Sequence, residues 1–175
     1  MKASGLRSAV LVEKEFQDLE VTYPYYRLKE AGVSTFLVGT RAGERVAGKF
    51  GYPVVVEMGL DEAMGSRFDC VVIPGGWAPD HMRRDPRFVE LVRKCWDEGS
   101  VVASICHGGW LLASAGIARG KRLTSFFAIR DDLVNAGAIW VDEEVVVDGN
   151  LVTSRKPDDL PAFMRAVLDL LARRG

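Results

Sequence analysis

Val101-Val102-Ala103-Ser104-Ile105-Cys106-His107-Gly108-Gly109 reads as a buried strand that runs straight into a turn, and Trp110 to Ala115 then read as a helix stopped by Gly116. A sulfur nucleophile sits at the joint. Small residues flank it at the spacing Ser104-x-Cys106-x-Gly108, the pattern of a nucleophile elbow, where the backbone doubles back and lifts one side chain clear of the sheet. A position at a helix N-terminus predicts a thiol pKa lowered from about 8.5 into the roughly 3.5–7.5 range. The chain has three cysteines, and the alternative for each is a small buried hydrophobe. That alternative suits Cys70, inside a strand, and Cys95, inside a helix. It does not explain Gly108-Gly109 and an adjoining His107. The only histidines are His81 and His107, so a base for Cys106 is its own neighbour, a residue of another subunit, or a carboxylate.

Working outward, Phe68-Asp69-Cys70-Val71-Val72-Ile73 is a second continuous apolar strand, halted at Pro74-Gly75-Gly76-Trp77-Ala78-Pro79-Asp80. Gly75 and Gly76 would let backbone N–H groups face a pocket, as an oxyanion hole requires. A bare Gly-Gly is otherwise only a turn. Ser8 to Val12, Val33 to Val38 and Tyr52 to Glu57 read as further strands. Asp18 to Ala31 reads as a helix ended by Gly32 and kinked or broken at Pro24. Asp85-Pro86 begins another helix, with Asp as N-cap, running to about Glu98. Short strands come next at Ala138 to Val141, Val145 to Val147 and Leu151 to Thr153, and an amphipathic helix over Asp158 to Ala172 closes the chain. Buried-type strands alternating with helices imply an α/β fold with a parallel sheet covered on both faces, in a single domain over residues 1–175. Ligands bind such sheets at the carboxyl ends of the strands.

Composition narrows the function. The chain has 175 residues, 48% of them hydrophobic, and Lys+Arg 23 against Asp+Glu 24 leaves a net charge of −1. That excludes a disordered chain and gives no basic field for nucleic acid. No apolar run approaches the roughly 20 residues that span a bilayer, and Met1-Lys2-Ala3-Ser4 opens no signal-peptide h-region. The expected setting is cytoplasmic, without membrane or nucleic-acid partners. An odd cysteine count makes no disulfide framework, and no paired ligand spacing suggests a metal. Neither a metal nor another cofactor is expected.

Four segments together carry a resemblance. Glu15-Phe16-Gln17-Asp18-Leu19-Glu20, Ile73-Pro74-Gly75-Gly76-x-Ala78-Pro79-Asp80, Ala103-Ser104-Ile105-Cys106-His107-Gly108 and Thr153-Ser154-Arg155-Lys156-Pro157-Asp158-Asp159-Leu160 resemble the PfpI family of intracellular cysteine peptidases. That family is grouped with the Parkinson-disease-associated deglycase among class I glutamine amidotransferase-like domains. The likeness runs from about Val10 to Leu171. It implies a flavodoxin-like three-layer sandwich and a homo-oligomer, dimer or hexamer. It also implies a nucleophile at Cys106, a following His107, and an acidic partner for that histidine at Asp80 of a neighbouring subunit. Implied activities are peptidase, glyoxalase III (methylglyoxal to lactate without glutathione) and removal of early glycation adducts, several members being stress proteins.

Two positions depart from the pattern. The second glutamate of the family's Glu-Phe-Glu-Asp, which the resemblance places against the cysteine as proton shuttle, is Gln17 here. Gln17 would still donate a hydrogen bond to the thiolate but would not carry a proton, and general acid–base help is worth about 10²–10⁴-fold. Glu15 and Glu20 are near in sequence, but on a helix or loop neither is expected to occupy the same position. Trp110 stands near the pocket where the family usually has Pro-Gln after the glycine, and would narrow it. The leading expectation is a cysteine-nucleophile enzyme acting on a small reactive carbonyl or an acyl or peptide bond. Its site would be Cys106, His107, Asp80 and Gln17, with Gly75, Gly76 and Trp110 around the substrate. The alternative is a redox-sensing module whose reactive thiol is Cys106. A glutamine amidotransferase is disfavoured because no histidine follows His107.

Overall fold

The computed structural model describes residues 5–174; Met1 to Ser4, where a leader would begin, lie outside them. In chain order the elements are β1 (Arg7–Leu11), α1 (Asp18–Glu30), β2 (Ser34–Gly39), β3 (Arg45–Ala47), β4 (Pro53–Val55), β5 (Met58–Gly59) and α2 (Leu60–Met64). Then come β6 (Cys70–Ile73), α3 (Ala78–Met82), α4 (Pro86–Asp97), β7 (Val101–Ile105) and α5 (Gly109–Ser114). The chain finishes with β8 (Arg122–Leu123), α6 (Arg130–Asn135), β9 (Ile139–Trp140), β10 (Val145–Asp148), β11 (Leu151–Ser154) and α7 (Leu160–Ala172).

Seven strands form one sheet in the order β10-β11-β7-β6-β1-β2-β5. Every pairing in it is parallel except β10 with β11, which the turn at Gly149 joins as a hairpin. α1 and α7 pack on one face and α2 and α4 on the other, giving the expected three layers. This double cover is why β1, β6 and β7 are apolar without alternation: all of β6 and β7 is buried. Phe16, Phe68, Phe88 and Phe163 are fully buried in the core. Among the described residues no helix is long and apolar enough to cross a membrane.

Three local expectations change. α1 runs unbroken through Pro24. The proline removes one backbone donor, whose acceptor would be the Glu20 carbonyl, while burial of Val21, Tyr25 and Leu28 holds the helix on the sheet. The strand read over Tyr52 to Glu57 shortens to β4, which pairs antiparallel with β3 in a separate two-stranded ribbon; the strand that joins the main sheet beside β2 is β5, just beyond that segment. The segment read as a strand at Ala138 to Val141 shortens to β9, outside the main sheet and beside β8.

The order of strands places the site. From β1 the chain moves outward to β2 and β5, then returns to the other side of β1 as β6 and β7. The carboxyl ends of β1, β6 and β7 therefore lie side by side at the reversal of strand order, where open α/β sheets bind their ligands. Three segments leave those strand ends and meet there: Glu15 to Glu20, Pro74 to Trp77, and Cys106 to Gly109.

Candidate active site

Cys106 has φ +60°. A left-handed backbone at a non-glycine residue costs of order 1–3 kcal/mol and is kept where surrounding structure forces it. The forcing neighbours are small by necessity. A Cβ at Gly108 would lie 2.6 Å from the Ile73 carbonyl oxygen and 2.8 Å from Ser104 Oγ, so only glycine lets the turn pass beneath β6. One turn of 3-10 helix, Cys106–Gly108, leads into α5. This is the elbow that the sequence predicted.

The carboxylate beside the thiol is Glu20. Gly75 N–H donates to Glu20 Oε2 at 2.7 Å, while Oε1 is buried with no hydrogen-bond partner among the described residues. Gly75 is what allows thiol and carboxylate to meet. A Cβ there would stand 2.6 Å from Glu20 Oε2 and 2.8 Å from Cys106 Sγ. Because its N–H is committed to Glu20, Gly75 is not an oxyanion donor; the N–H groups of Gly76 and His107 are the ones directed at the sulfur.

Gln17 therefore does not hold the place expected of it. Its side chain is the N-cap of α1, with Oε1 accepting from Leu19 N–H at 2.8 Å and Glu20 N–H at 3.1 Å. The reason is helical phase. Glu20, Pro24 and Leu28 succeed one another at intervals of four, and all are buried. Gln17 precedes the first turn and is spent closing it. Replacing Gln17 by Ala is expected to lower stability by about 1 kcal/mol, as loss of a cap does, measurable by chemical denaturation. Replacing it by Glu keeps an acceptor there and leaves the cap in place.

The rest of that segment builds the frame. Glu15, also at positive φ (+62°), accepts Trp77 N–H through its carbonyl at 2.9 Å. Gln17 N–H donates to the Gly75 carbonyl at 3.1 Å, so Phe16 and Gly76 form an isolated antiparallel bridge. His81 Nε2 and Glu15 Oε2 lie 2.7 Å apart and brace α3 against this strap. The Asp18 carboxylate accepts Phe50 N–H and Tyr52 N–H, both at 3.0 Å, which fixes the loop carrying Lys49.

His107 Nδ1 is 3.2 Å from Cys106 Sγ. Burial, with the Lys49 charge second, holds its pKa below the ordinary histidine value, so at neutral pH the ring is uncharged and able to accept a proton. Burial pushes Glu20 up to about 7. Burial first, and the Glu20 carboxylate second, push the Cys106 thiol up to about 12. That is the opposite of what a helix N-terminus alone predicts: α5 has only six residues, and desolvation outweighs it. The two groups titrate as a pair, which loses one proton near Glu20's value and keeps the other across neutral pH. The retained proton sits on sulfur or on the carboxyl, and the Gly76 and His107 N–H groups favour the thiolate form. Cys70 and Cys95 are buried, their thiols raised by desolvation, and neither Glu20 nor Cys106 is among the groups that act on them.

Asp80 lies on α3 and ion-pairs with Arg84 at the surface. Among the described residues no hydrogen bond links it to His107 within the chain. Trp110 stands edge-on to His107, ring centroids 5.1 Å apart, and its Nε1–H donates to Asp132 Oδ2 at 2.8 Å. Sequence reasoning set Glu20 aside as a stand-in for the missing glutamate; its signal was an acid in phase with the buried Pro24 and Leu28 of α1. The same reasoning missed Lys49, and Phe126, which stacks on His107 with centroids 5.1 Å apart.

Known proteins share this fold and much of this sequence. Residues 7–170 match the DJ-1/PfpI family. The deglycase PfpI of Pyrococcus furiosus is 48% identical over 161 residues, covering 92% of this chain and 96% of that protein. Protein/nucleic acid deglycase 2 of Escherichia coli is 46% identical over 165 residues, covering 93% and 96%. The crystal structure of Drosophila melanogaster DJ-1beta superposes with a TM-score of 0.90 at 30% identity, over 98% of this chain and 91% of that one.

Proposed function

The chain belongs to the DJ-1/PfpI family, and on that premise we propose that it is a cysteine-dependent enzyme acting on small reactive carbonyls, by glyoxalase III or deglycase-type chemistry. One observation carries the reading: Cys106 is held at a strained elbow between a buried carboxyl group of raised pKa and a neutral imidazole. A strained nucleophile flanked by groups that can give and take protons is an arrangement for turnover rather than for packing.

With methylglyoxal the sulfur adds to the aldehyde carbon, and the opened C=O bond leaves an oxyanion for the Gly76 and His107 N–H groups. Protonation of that oxygen gives a hemithioacetal. Its C–H proton passes to Glu20, the unpartnered Oε1 being the free acceptor, while the electron pair moves toward the adjacent ketone and forms an enediolate. Return of a proton to that second carbon yields a lactoyl thioester. Water activated by His107 then cleaves the C–S bond, releasing lactate and the thiol. The aldehyde carbon is oxidised, the ketone carbon is reduced, and one water is added, so no outside electron carrier is used. A carboxylate partner for His107 is assigned to Asp80 from a second copy of the chain; its half-exposed position on α3 supports that role.

The test is incubation of the full chain with methylglyoxal, with lactate assayed and Cys106 peptides mapped by mass spectrometry. Lactate together with a trapped adduct on Cys106 is the expected result. No lactate and an unmodified Cys106 would overturn the proposal. In that case selective oxidation of Cys106 by graded peroxide, ahead of Cys70 and Cys95, would favour the sensor.

A further inference from the structure

Glyoxalase or deglycase chemistry leaves without a role a row of four aromatic rings, three of which touch His107. Phe126 stacks on the imidazole at 5.1 Å and 27°, Trp110 meets it edge-on, and Trp77 faces it at 6.1 Å. Phe127 continues the wall, 4.7 Å from Phe126. The wall is tied to the elbow itself, because Phe126 N–H donates to the Cys106 carbonyl at 3.2 Å. Trp77 directly follows Gly75 and Gly76. Since His107 Nδ1 is 3.2 Å from the sulfur, a group bonded to that sulfur lies about one imidazole width from the three rings that touch His107, with Phe127 one ring further along.

Exposure separates the four. Trp110 and Phe126 are half-buried and structurally engaged. Trp77 is 57% exposed and Phe127 71% exposed, on opposite sides of the histidine chain of contacts. Large rings exposed on one chain beside a reactive centre are an unfavourable surface until something apolar covers them, and the candidates are a ring on the substrate and the second copy that brings Asp80 to His107. Two cations stand near the wall, Lys49 by His107 and Arg83 over the Trp110 ring at 5.8 Å, while the carboxylate on it, Asp132, is engaged by Trp110 Nε1–H at 2.8 Å.

We infer that this wall is a substrate subsite, and that the enzyme prefers α-oxoaldehydes whose ketone carries an aromatic ring over those carrying a methyl group. The inference rests on the proposed role of Cys106 as nucleophile. Trp77 and Phe127 are the specificity-determining residues; Trp110 and Phe126 back them.

Phenacyl bromide and bromoacetone test it without requiring turnover. With each, the thiolate displaces bromide: an S–C bond forms, the C–Br bond breaks, and bromide leaves. Rates at Cys106, resolved from Cys70 and Cys95 by peptide mapping, are compared with those of glutathione. The phenacyl-to-acetonyl ratio at Cys106 is expected to exceed the glutathione ratio at least about tenfold, equivalent to about 1.4 kcal/mol. Trp77→Ala with Phe127→Ala should bring it within about twofold of glutathione, a residual of about 0.4 kcal/mol. The ratio of kcat/KM for phenylglyoxal over methylglyoxal should fall in parallel. A wild-type ratio equal to that of glutathione overturns the inference, as does a preference the double variant retains. A double variant that keeps the ratio but changes mass by light scattering would assign the two rings to a contact between copies. If neither glyoxal turns over while the alkylation preference persists, the glyoxalase reading fails and the aromatic subsite stands. If neither bromide modifies Cys106, both fail.

Discussion

Replacement of Cys106 by Ser is expected to remove methylglyoxal turnover by at least about 10³-fold, the scale on which loss of a covalent nucleophile is felt. The Ser hydroxyl would occupy the same elbow, with the same N–H groups and the same neutral His107. It would nonetheless keep its proton, because a serine hydroxyl is far less acidic than a thiol, while the neighbouring proton acceptors are an imidazole held below its ordinary value and a carboxyl raised to about 7. The fold should not notice. Cys106 is 7% exposed, and a serine differs from it by one atom and bears the same left-handed strain. Lactate assay and a thermal melt on one preparation check both halves: activity gone, melting temperature within a few degrees. Retained lactate production would remove the nucleophile from the account.

Glu20→Gln should lower kcat by about 10²–10⁴-fold, the usual worth of a general acid–base group, because an amide accepts Gly75 N–H but returns no proton. The same substitution should stabilise the protein, in a direction set by the raised pKa. Between the unfolded value of 4.5 and the folded value of about 7, the native state keeps a proton that the unfolded chain has lost. Stability of the wild type is thus fully present below 4.5 and falls as pH rises to about 7. A shift of this size corresponds to on the order of 3 kcal/mol. Denaturation curves should show the variant more stable than wild type at pH 8 by up to about that amount, and the two nearly equal near pH 4.5, where both side chains are neutral in the fold. A variant less stable at pH 8 would mean that the carboxylate is stabilised in the fold rather than strained by it.

The strands of the sheet and the elbow were legible because burial on both faces and a tight turn leave strong marks on composition: continuous apolar runs, and glycine where a Cβ would strike backbone. Cys106, His107 and Gly76 could be read from those marks. Glu20 could not be read from the motif alone. Matching the segment to the family pattern led to Gln17 and set Glu20 aside, whereas the helix itself buries Glu20, three residues on and level with Pro24 and Leu28. Phase was the better guide because burial tracks the helix surface rather than the linear motif. The thiol's charge state was misread for a related reason. A helix terminus is visible in sequence, but the burial and the facing carboxylate that outweigh it depend on three loops meeting. Lys49 and Phe126 reach the site only through tertiary contacts, and nothing in their local sequence marks them.

The role of Glu20 as the proton carrier, in place of Gln17, is the central claim. The most direct test is the pH dependence of kcat/KM for methylglyoxal, measured side by side for wild type, Glu20→Gln and Gln17→Glu. Wild type should gain activity as pH rises through about 7, as the Cys106–Glu20 pair loses its first proton. Gln17→Glu should keep that inflection and a similar rate, and Glu20→Gln should lose both. A Glu20→Gln variant that retains rate and inflection, or a Gln17→Glu variant that gains a large rate the wild type lacks, would contradict the account.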